Sequence, residues 1–131
     1  MTRAVLLVDH GSRVASANAA LDEVAAQLRL RLPDRLVQVA HLEIAAPSIG
    51  EGVDACVAAG AREIVVHPYF LSPGRHTSHD IPRQVEQAAA RHPGVSVRLT
   101  PALGPHAKLL DVILERISEG ETRGATGSGA S

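Results

Sequence analysis

Short apolar runs alternate with longer stretches of helical periodicity along most of this 131-residue chain. Four of the runs predict strands, because they are short, rich in Val and Leu, and end at polar or turn-forming residues. They cover Ala4–Val8, Leu36–Leu42, Glu63–His67 and Val95–Leu99. The first run is apolar throughout, as in a strand buried on both faces, whereas the last alternates and is expected at a sheet edge.

Each predicted strand is followed by a segment in which apolar residues recur every three or four positions, which indicates an amphipathic helix. We expect helices over Ala15–Leu32, from Pro47 to Gly60, from Asp80 to about Arg91, and around Leu109–Ile117. Asp80 is the expected cap of the third helix, with Pro82 in its first turn. Residues 72–79 are then a polar loop.

Four successive β-α units predict an α/β fold with a four-stranded parallel sheet, helices on both faces, right-handed crossovers and flavodoxin-like layering. The length fits one globular domain, which we place at residues 1–118. Residues 119–131 are dominated by Gly, Ser, Thr and Ala. We expect this tail to be disordered, because it cannot bury enough apolar surface.

Charge and cysteine content narrow the possible functions. The net charge of −1 gives no basic footprint for nucleic acid and no polybasic patch for a membrane surface. The single cysteine, Cys56, excludes an internal disulfide and is predicted to be a small buried hydrophobe. The run Ala4–Val8 is too short to cross a bilayer or to act as a secretion signal, so the cytoplasm is the default location.

Three potential metal ligands follow apolar runs at equal spacing. His10, Glu43 and His76 are each 33 residues apart, which matches one strand-plus-helix unit. The carboxyl ends of parallel strands meet at one edge of a sheet, so these side chains are expected to converge there. Two imidazoles and a carboxylate suit Fe²⁺, Co²⁺, Ni²⁺ or Zn²⁺ and leave coordination positions open for a substrate.

Each ligand also has a simpler interpretation. His10 alone could be a hydrogen-bonded loop histidine. Glu43 precedes a predicted helix, and on spacing alone a stabilising effect at the helix N-terminus is favoured. The segment around His76 could be polar only because it is solvated, although two histidines and an arginine within five residues favour a site.

The other histidines have separate interpretations. His41 lies two residues before Glu43, hence on the same strand face, and is a candidate to support a ligand. His67 is predicted to be a hydrogen-bonded core histidine. His92 ends a helix and His106 begins one, positions that the helix dipole or capping explains.

Several motifs in order resemble one known family. They are Val8–Arg13, Leu42–Glu43 with Pro47–Ile49, Gly60–Ala61, Pro68–Leu71, Pro73–His76, Asp80–Pro82 and Leu103–His106. Together they resemble the CbiX/SirB family of small sirohydrochlorin chelatases over about residues 3–117. Because the match consists of several motifs in the correct order, it is far more specific than any one of them.

The resemblance implies insertion of Co²⁺ or Fe²⁺ into sirohydrochlorin, on the routes to cobalamin and sirohaem, with Ni²⁺ used by a close relative. It implies a class II chelatase lobe in its single-lobe form, which pairs as a homodimer. No prosthetic group is expected, since the divalent metal is a substrate. His10 and His76 carry over as metal-binding histidines and Glu43 as their acidic partner. The cysteines of plant-type relatives and the His-rich tail of some cobalt enzymes are missing, which leaves the metal open.

The same resemblance implies roles for further residues. Neutral histidines or Glu43 would hold the ion or accept the two pyrrole protons that leave. The substrate's carboxylates would be anchored by Arg13, Arg75, Ser12 and the helix amides near Ser78–Asp80. Its flat apolar core would contact Leu71, Phe70 and Leu103.

Two other functions remain open from sequence. A non-catalytic metal carrier would use the same ligands. A histidine phosphatase-like enzyme also begins with a His-Gly after its first strand, but it needs a cationic pocket, whereas Asp9 precedes His10 and Glu43 is expected nearby.

Overall fold

The computed structural model describes residues 2–72 and 74–123, and for His76 it describes the backbone only. Four strands alternate with four helices, as predicted. The strands are β1 (Thr2–Asp9), β2 (Arg35–His41), β3 (Ala61–Pro68) and β4 (Ser96–Leu99). The helices are α1 (Ala15–Arg31), α2 (Ile49–Ala58), α3 (Arg75–Ala90) and α4 (Ala107–Thr122).

The strands form one parallel sheet in the order β2-β1-β3-β4, which confirms the predicted fold class. The apolar strand β1 lies inside the sheet and β4 lies at an edge, as their patterns predicted. In β1, Leu6 belongs to the core on the α2 and α3 side, whereas Leu7 packs with Leu21 of α1 on the other. Helices thus pack on both faces of the sheet.

Helix α2 begins where the sequence predicted. The Ser48 hydroxyl accepts a hydrogen bond from the Glu51 N–H (3.1 Å), and the Glu51 carboxylate accepts one from the Ser48 N–H (2.8 Å). Cys56 is buried on this helix, as expected, and burial raises the pKa of its thiol to about 11. Because Glu51 supplies the acidic group at this helix end, Glu43 is not needed for that purpose.

Helix α3 begins at Arg75, and the predicted start at Asp80 was wrong. Thr77 starts the helix early, because its hydroxyl accepts from the Gly74 N–H (2.8 Å) and donates to the Gly74 carbonyl (3.0 Å). Asp80 lies inside the helix, where its carboxylate pairs with Arg83 (3.0 Å). Pro82 sits in the second turn. The predicted polar loop over residues 72–79 is therefore largely helical.

Helix α4 begins at Ala107, and His106 caps its N-terminus as predicted, because the His106 Nδ1 accepts from the Lys108 N–H (3.0 Å). It continues to Thr122, past the predicted end of order at Ser118. Residues 124–131 of the predicted tail lie outside the described residues. Within the described residues, no helix is long and apolar enough to span a membrane.

Candidate metal site at the carboxyl edge of the sheet

The loops that carry His10 and Glu43 are joined through their main chains. The Leu42 N–H donates to the Asp9 carbonyl (2.8 Å), and the Glu43 N–H donates to the His10 carbonyl (3.0 Å). These bonds extend the β1–β2 pairing beyond the last strand residues. The side chains of His10 and Glu43 are both exposed. The predicted imidazole and carboxylate ligands therefore lie on neighbouring loops at the same edge of the sheet.

Gly11 makes this close approach possible. Its φ of +90° is a conformation that side-chain-bearing residues rarely adopt. A Cβ at this position would lie 1.9 Å from the Glu43 carbonyl oxygen and 3.1 Å from Cβ of His41. Any residue other than glycine would therefore separate the loops that carry His10 and Glu43.

Phe70 holds the His10 ring on the sheet. The ring centroids are 4.4 Å apart at an angle of 53°, and Phe70 belongs to the buried core. The loop after β3 that carries Phe70 is itself anchored, because the Tyr69 N–H donates to the Val8 carbonyl (2.6 Å). Phe70 is buried beside His10, and its expected contact with a macrocycle stays a prediction.

His76 lies in the first turn of α3, which follows β3 at the same edge. Its side chain lies outside the described residues, so its predicted meeting with His10 and Glu43 stays a prediction. Among the described side chains, no group of three His, Cys, Asp or Glu residues could hold a metal ion.

Hydrogen bonds of Asp9 with His41 and Gly11 stabilise the loop that carries His10. Nδ1 of His41 donates to Oδ1 of Asp9 (2.5 Å), and the same oxygen accepts from the Gly11 N–H (3.1 Å). Only 3% of His41 is exposed. The sequence predicted that His41 supports a ligand, but it did not reveal Asp9 as the hydrogen-bond partner of His41. The signal that could have identified Asp9 is an Asp two residues before a Gly, which is common in turns.

An Asp9→Ala variant is expected to lose about 1–3 kcal/mol of unfolding free energy, because it leaves the buried His41 Nδ1 without its acceptor. Urea unfolding of purified protein measures this. Asp34→Ala is the matched control: it removes an exposed ion pair to Arg3 and should cost less than about 1 kcal/mol. Equal losses in the two variants would show that Asp9 has no special structural role.

The loop after β2 is strained. Ile44 has a φ of +74°, and the Ala45 N–H donates to the Glu43 carbonyl across it (2.8 Å), as in a γ-turn. A β-branched residue in this conformation is costly, and such residues occur preferentially at functional sites. The turn leaves the Ile44 side chain 64% exposed directly beside Glu43.

Two predicted anchor hydroxyls are already engaged. The Ser12 hydroxyl accepts from the Val14 N–H (3.0 Å), and the Ser78 hydroxyl donates to the carbonyls of Gly74 (2.9 Å) and Arg75 (3.0 Å). The Ser78 N–H donates to the Gly74 carbonyl, so the predicted free amides near Ser78–Asp80 are used within the helix. Since α3 begins at Arg75, its free amides are those of residues 75–77.

The remaining predicted substrate contacts are solvent-accessible. Arg13 and Arg75 are both exposed, one after β1 and the other at the start of α3. Leu71 is 71% exposed in the loop after β3, and Leu103 is partly buried.

Two other histidines are occupied elsewhere. His92 lies at the far end of α3, where its Nε2 pairs with Asp54 (2.7 Å). The His92 hydrogen bond, followed by that of Arg91, lowers the pKa of Asp54. His67 donates from Nδ1 to the Thr100 hydroxyl (2.8 Å), as expected of a core histidine, although it is only half-buried.

His67 predicts a pH dependence of stability. Burial lowers its pKa in the folded protein. The unfolded chain therefore binds more protons, so this stabilisation is complete above the unfolded pKa of about 6.5 and is lost as the pH falls through the folded value. Between about pH 8 and pH 5, urea unfolding should show a larger loss for the wild type than for His67→Gln. Equal losses of unfolding free energy in the wild type and in His67→Gln would show that His67 is not the origin of this pH dependence.

Comparison with known proteins identifies the family. The CbiX family model matches residues 4–120. This chain belongs to the CbiX family. A curated relative, the chloroplastic sirohydrochlorin ferrochelatase of Arabidopsis thaliana, is 42% identical over 86% of the chain and 50% of its own length.

Two solved structures have the same fold. The sirohydrochlorin chelatase SirB from Bacillus subtilis subspecies spizizenii, in complex with cobalt, has a TM-score of 0.82 at 29% identity over 91% of this chain and 51% of that one. A cobalamin (vitamin B12) biosynthesis CbiX protein from Marinobacter aquaeolei VT8 has a TM-score of 0.81 at 28% identity, over 92% and 98%. The CbiX chain thus spans about half or less of the first curated relatives but nearly all of the Marinobacter protein.

Proposed function

We propose that this CbiX-family chain inserts Co²⁺ or Fe²⁺ into sirohydrochlorin. The observation that carries the proposal is the main-chain hydrogen bond between the His10 and Glu43 loops at the carboxyl edge of the sheet. It joins the loops that carry an imidazole and a carboxylate where open parallel sheets bind ligands. Family membership and the relatives' names support this chemistry.

His10, Glu43 and His76 are proposed to bind the incoming ion. A neutral imidazole offers a lone pair to a borderline metal such as Co²⁺ or Fe²⁺, and a carboxylate offsets its charge. The Phe70 contact restricts the His10 ring, so less conformational freedom is lost on metal binding. Three protein ligands leave open positions through which pyrrole nitrogens can replace water.

Insertion exchanges one divalent ion for two pyrrole protons, so the site must accept protons while it releases metal. A histidine that gives up the ion regains its lone pair and can take a proton. Glu43 is exposed at the same edge and can pass a proton to solvent. The same three groups therefore serve both halves of the exchange.

An apolar rim around these groups suits a flat macrocycle. Val14, Ile44 and Leu71 follow β1, β2 and β3, respectively, and are 58%, 64% and 71% exposed. Large apolar side chains this exposed at one edge are typical of a ligand-binding surface. Arg13, Arg75 and the free amides at the start of α3 would bind the peripheral carboxylates.

We also propose that two copies of the chain associate, as the resemblance implies for a single-lobe chain. Each copy would present one metal-binding edge. Because a macrocycle has two faces, two copies would contact one face each.

The test is metal insertion by the pure protein. Sirohydrochlorin is incubated with Co²⁺ or Fe²⁺. The absorbance change is compared with a protein-free sample and with a His92→Ala variant, which changes a half-buried histidine just past the C-terminal end of α3. A rate well above the protein-free sample, retained by His92→Ala, is expected. A rate no faster than without protein, with metal binding intact, would favour the carrier function. Competing Fe²⁺, Co²⁺ and Ni²⁺ in one assay identifies the preferred metal.

A further inference from the structure

His41 is a buried polar residue that takes no direct part in the metal binding proposed above. Only 3% of its surface is exposed, and among the described residues Thr77 is the one other polar or charged residue that is buried. Burying an imidazole costs free energy unless its nitrogen atoms find hydrogen-bond partners, so an apolar side chain would serve the packing at least as well. Its position suggests another purpose, because His41 ends β2 and lies two residues before Glu43.

The main chain of His41 closes the loop that carries Glu43. The His41 N–H donates to the Pro47 carbonyl (2.8 Å), just before α2. Residues 42–46, which include the strained Ile44, therefore form a short loop whose two ends are held together at His41. Because only one residue separates His41 from Glu43, a movement of His41 also moves the Glu43 carboxylate.

The side chain of His41 links this closed loop to the loop that carries His10. Nδ1 of His41 donates to Oδ1 of Asp9 (2.5 Å), and the same oxygen accepts from the Gly11 N–H (3.1 Å). Asp9 and Gly11 flank His10 in the sequence, so the Asp9 carboxylate restrains the main chain on both sides of that residue. One oxygen atom of Asp9 thus joins the two loops, in addition to the main-chain bonds between them.

We propose that Asp9 and His41 are positioning residues that set the spacing of His10 and Glu43 for metal binding. They act through the two loops and not as ligands, because His41 is buried and Oδ1 of Asp9 already accepts from two donors. Groups that orient metal ligands through hydrogen bonds typically contribute about 10- to 100-fold to metal affinity or activity. This inference rests on the metal-binding role proposed above for His10 and Glu43, but not on insertion into sirohydrochlorin.

The pair should affect binding of the ion and not binding of the macrocycle. The hydrogen bonds of the Asp9 carboxylate and the His41 ring go to each other and to Gly11. Arg13 and Arg75, proposed above to bind the substrate's carboxylates, are exposed on other segments. Loss of the pair is therefore expected to weaken Co²⁺ binding and to leave the KM for sirohydrochlorin unchanged.

The test compares two replacements of His41 in the full chain. His41→Leu removes the donor to Asp9 but has a similar size, whereas His41→Asn keeps a side-chain N–H near the place of Nδ1. Co²⁺ is titrated into each purified protein, and calorimetry gives the dissociation constant. His41→Leu is expected to bind Co²⁺ about 10- to 100-fold more weakly than the unmodified protein, and His41→Asn is expected to recover most of that loss.

A double-variant cycle shows whether Asp9 and His41 act as one unit. The Asp9→Ala/His41→Leu protein should bind Co²⁺ no more weakly than Asp9→Ala alone, because Asp9→Ala already breaks the link between the two loops. Losses that multiply in the double variant would contradict a joint role.

Ile64→Val separates positioning from a general loss of stability. Ile64 is buried four residues before the end of β3, and removal of one of its methylene groups lowers the free energy of unfolding. Urea unfolding ranks the stability of all variants. Co²⁺ binding by Ile64→Val should equal that of the unmodified protein.

Unchanged Co²⁺ binding by a folded His41→Leu variant would overturn the proposal, as would an equal loss in His41→Asn or in Ile64→Val. The insertion assay is read separately. If the unmodified protein binds Co²⁺ but does not insert it, the proposed function fails, and the binding data still decide the role of His41. If it inserts metal while His41→Leu binds Co²⁺ normally, only the positioning role fails. An unmodified protein that binds no Co²⁺ would overturn both.

Discussion

His10→Ala and His76→Ala are each expected to insert metal into sirohydrochlorin at least about 100-fold more slowly than the unmodified protein. Each removes one imidazole that we propose binds the ion and accepts a proton, and positioned groups of this kind contribute about 10²–10⁴ in rate. The His10 side chain is exposed and its main-chain bonds to the Glu43 loop remain, so the fold should persist. Initial rates with Co²⁺ and Fe²⁺ measure the loss.

The comparison with His92→Ala separates site effects from general ones. His92 is bound to Asp54 at the other end of α3, and its replacement should leave the insertion rate within about twofold. Circular dichroism and thermal melting of all three variants check that they fold. Retained activity in a folded His76→Ala variant would remove that residue from the mechanism.

Gly11→Ala is expected to damage both stability and activity. The φ of +90° alone costs about 1–3 kcal/mol for a residue with a Cβ. In addition, a Cβ would overlap the Glu43 carbonyl oxygen, and only movement of the His10 loop or the Glu43 loop relieves that overlap. We expect a loss of unfolding free energy beyond the strain itself and at least about a tenfold loss in insertion rate.

Gly60→Ala is the matched control for Gly11→Ala. Gly60 has a similar φ of +100°, but a Cβ there would meet only the Thr2 hydroxyl, at 3.9 Å. Urea unfolding of both variants therefore separates backbone strain from the overlap. If the two variants lose the same stability and Gly11→Ala keeps its activity, close approach of the two loops is not required.

The sequence predicted the sheet and the position of His10 and Glu43 at one edge of it, because both follow from periodicity. The apolar runs of β1 and β2 define strands, and parallel strands end at one edge. Residues that directly follow neighbouring strands are therefore expected at the same edge of the sheet. In the structure, the Glu43 N–H donates a hydrogen bond to the His10 carbonyl, which joins the two loops at this edge.

The start of α3 was predicted wrongly because two N-terminal signals compete. Asp80 followed by Pro82 is a typical helix start. The helix nevertheless begins earlier, because the hydroxyl of Thr77, five residues before Pro82, forms hydrogen bonds with Gly74. Pro82 is tolerated in the second turn. The error matters for the site, since it moves the free helix amides from Ser78–Asp80 to residues 75–77.

Other features depend on tertiary contacts that local patterns do not contain. The packing of Phe70 against His10 and the bond between Asp9 and His41 join residues far apart in sequence. The exposure of Ile113 and Leu114 on α4 is a further example, because their periodicity equally predicts a helix packed on its own sheet.

Cobalt anomalous scattering from a crystal of the protein with Co²⁺ tests the central claim most directly. The account predicts one principal peak at the carboxyl edge of the sheet, about 2.0–2.2 Å from ligand atoms of His10, Glu43 and His76. A principal peak elsewhere, such as at His92 and Asp54, or a peak at the edge that His10 and His76 do not share, would contradict it.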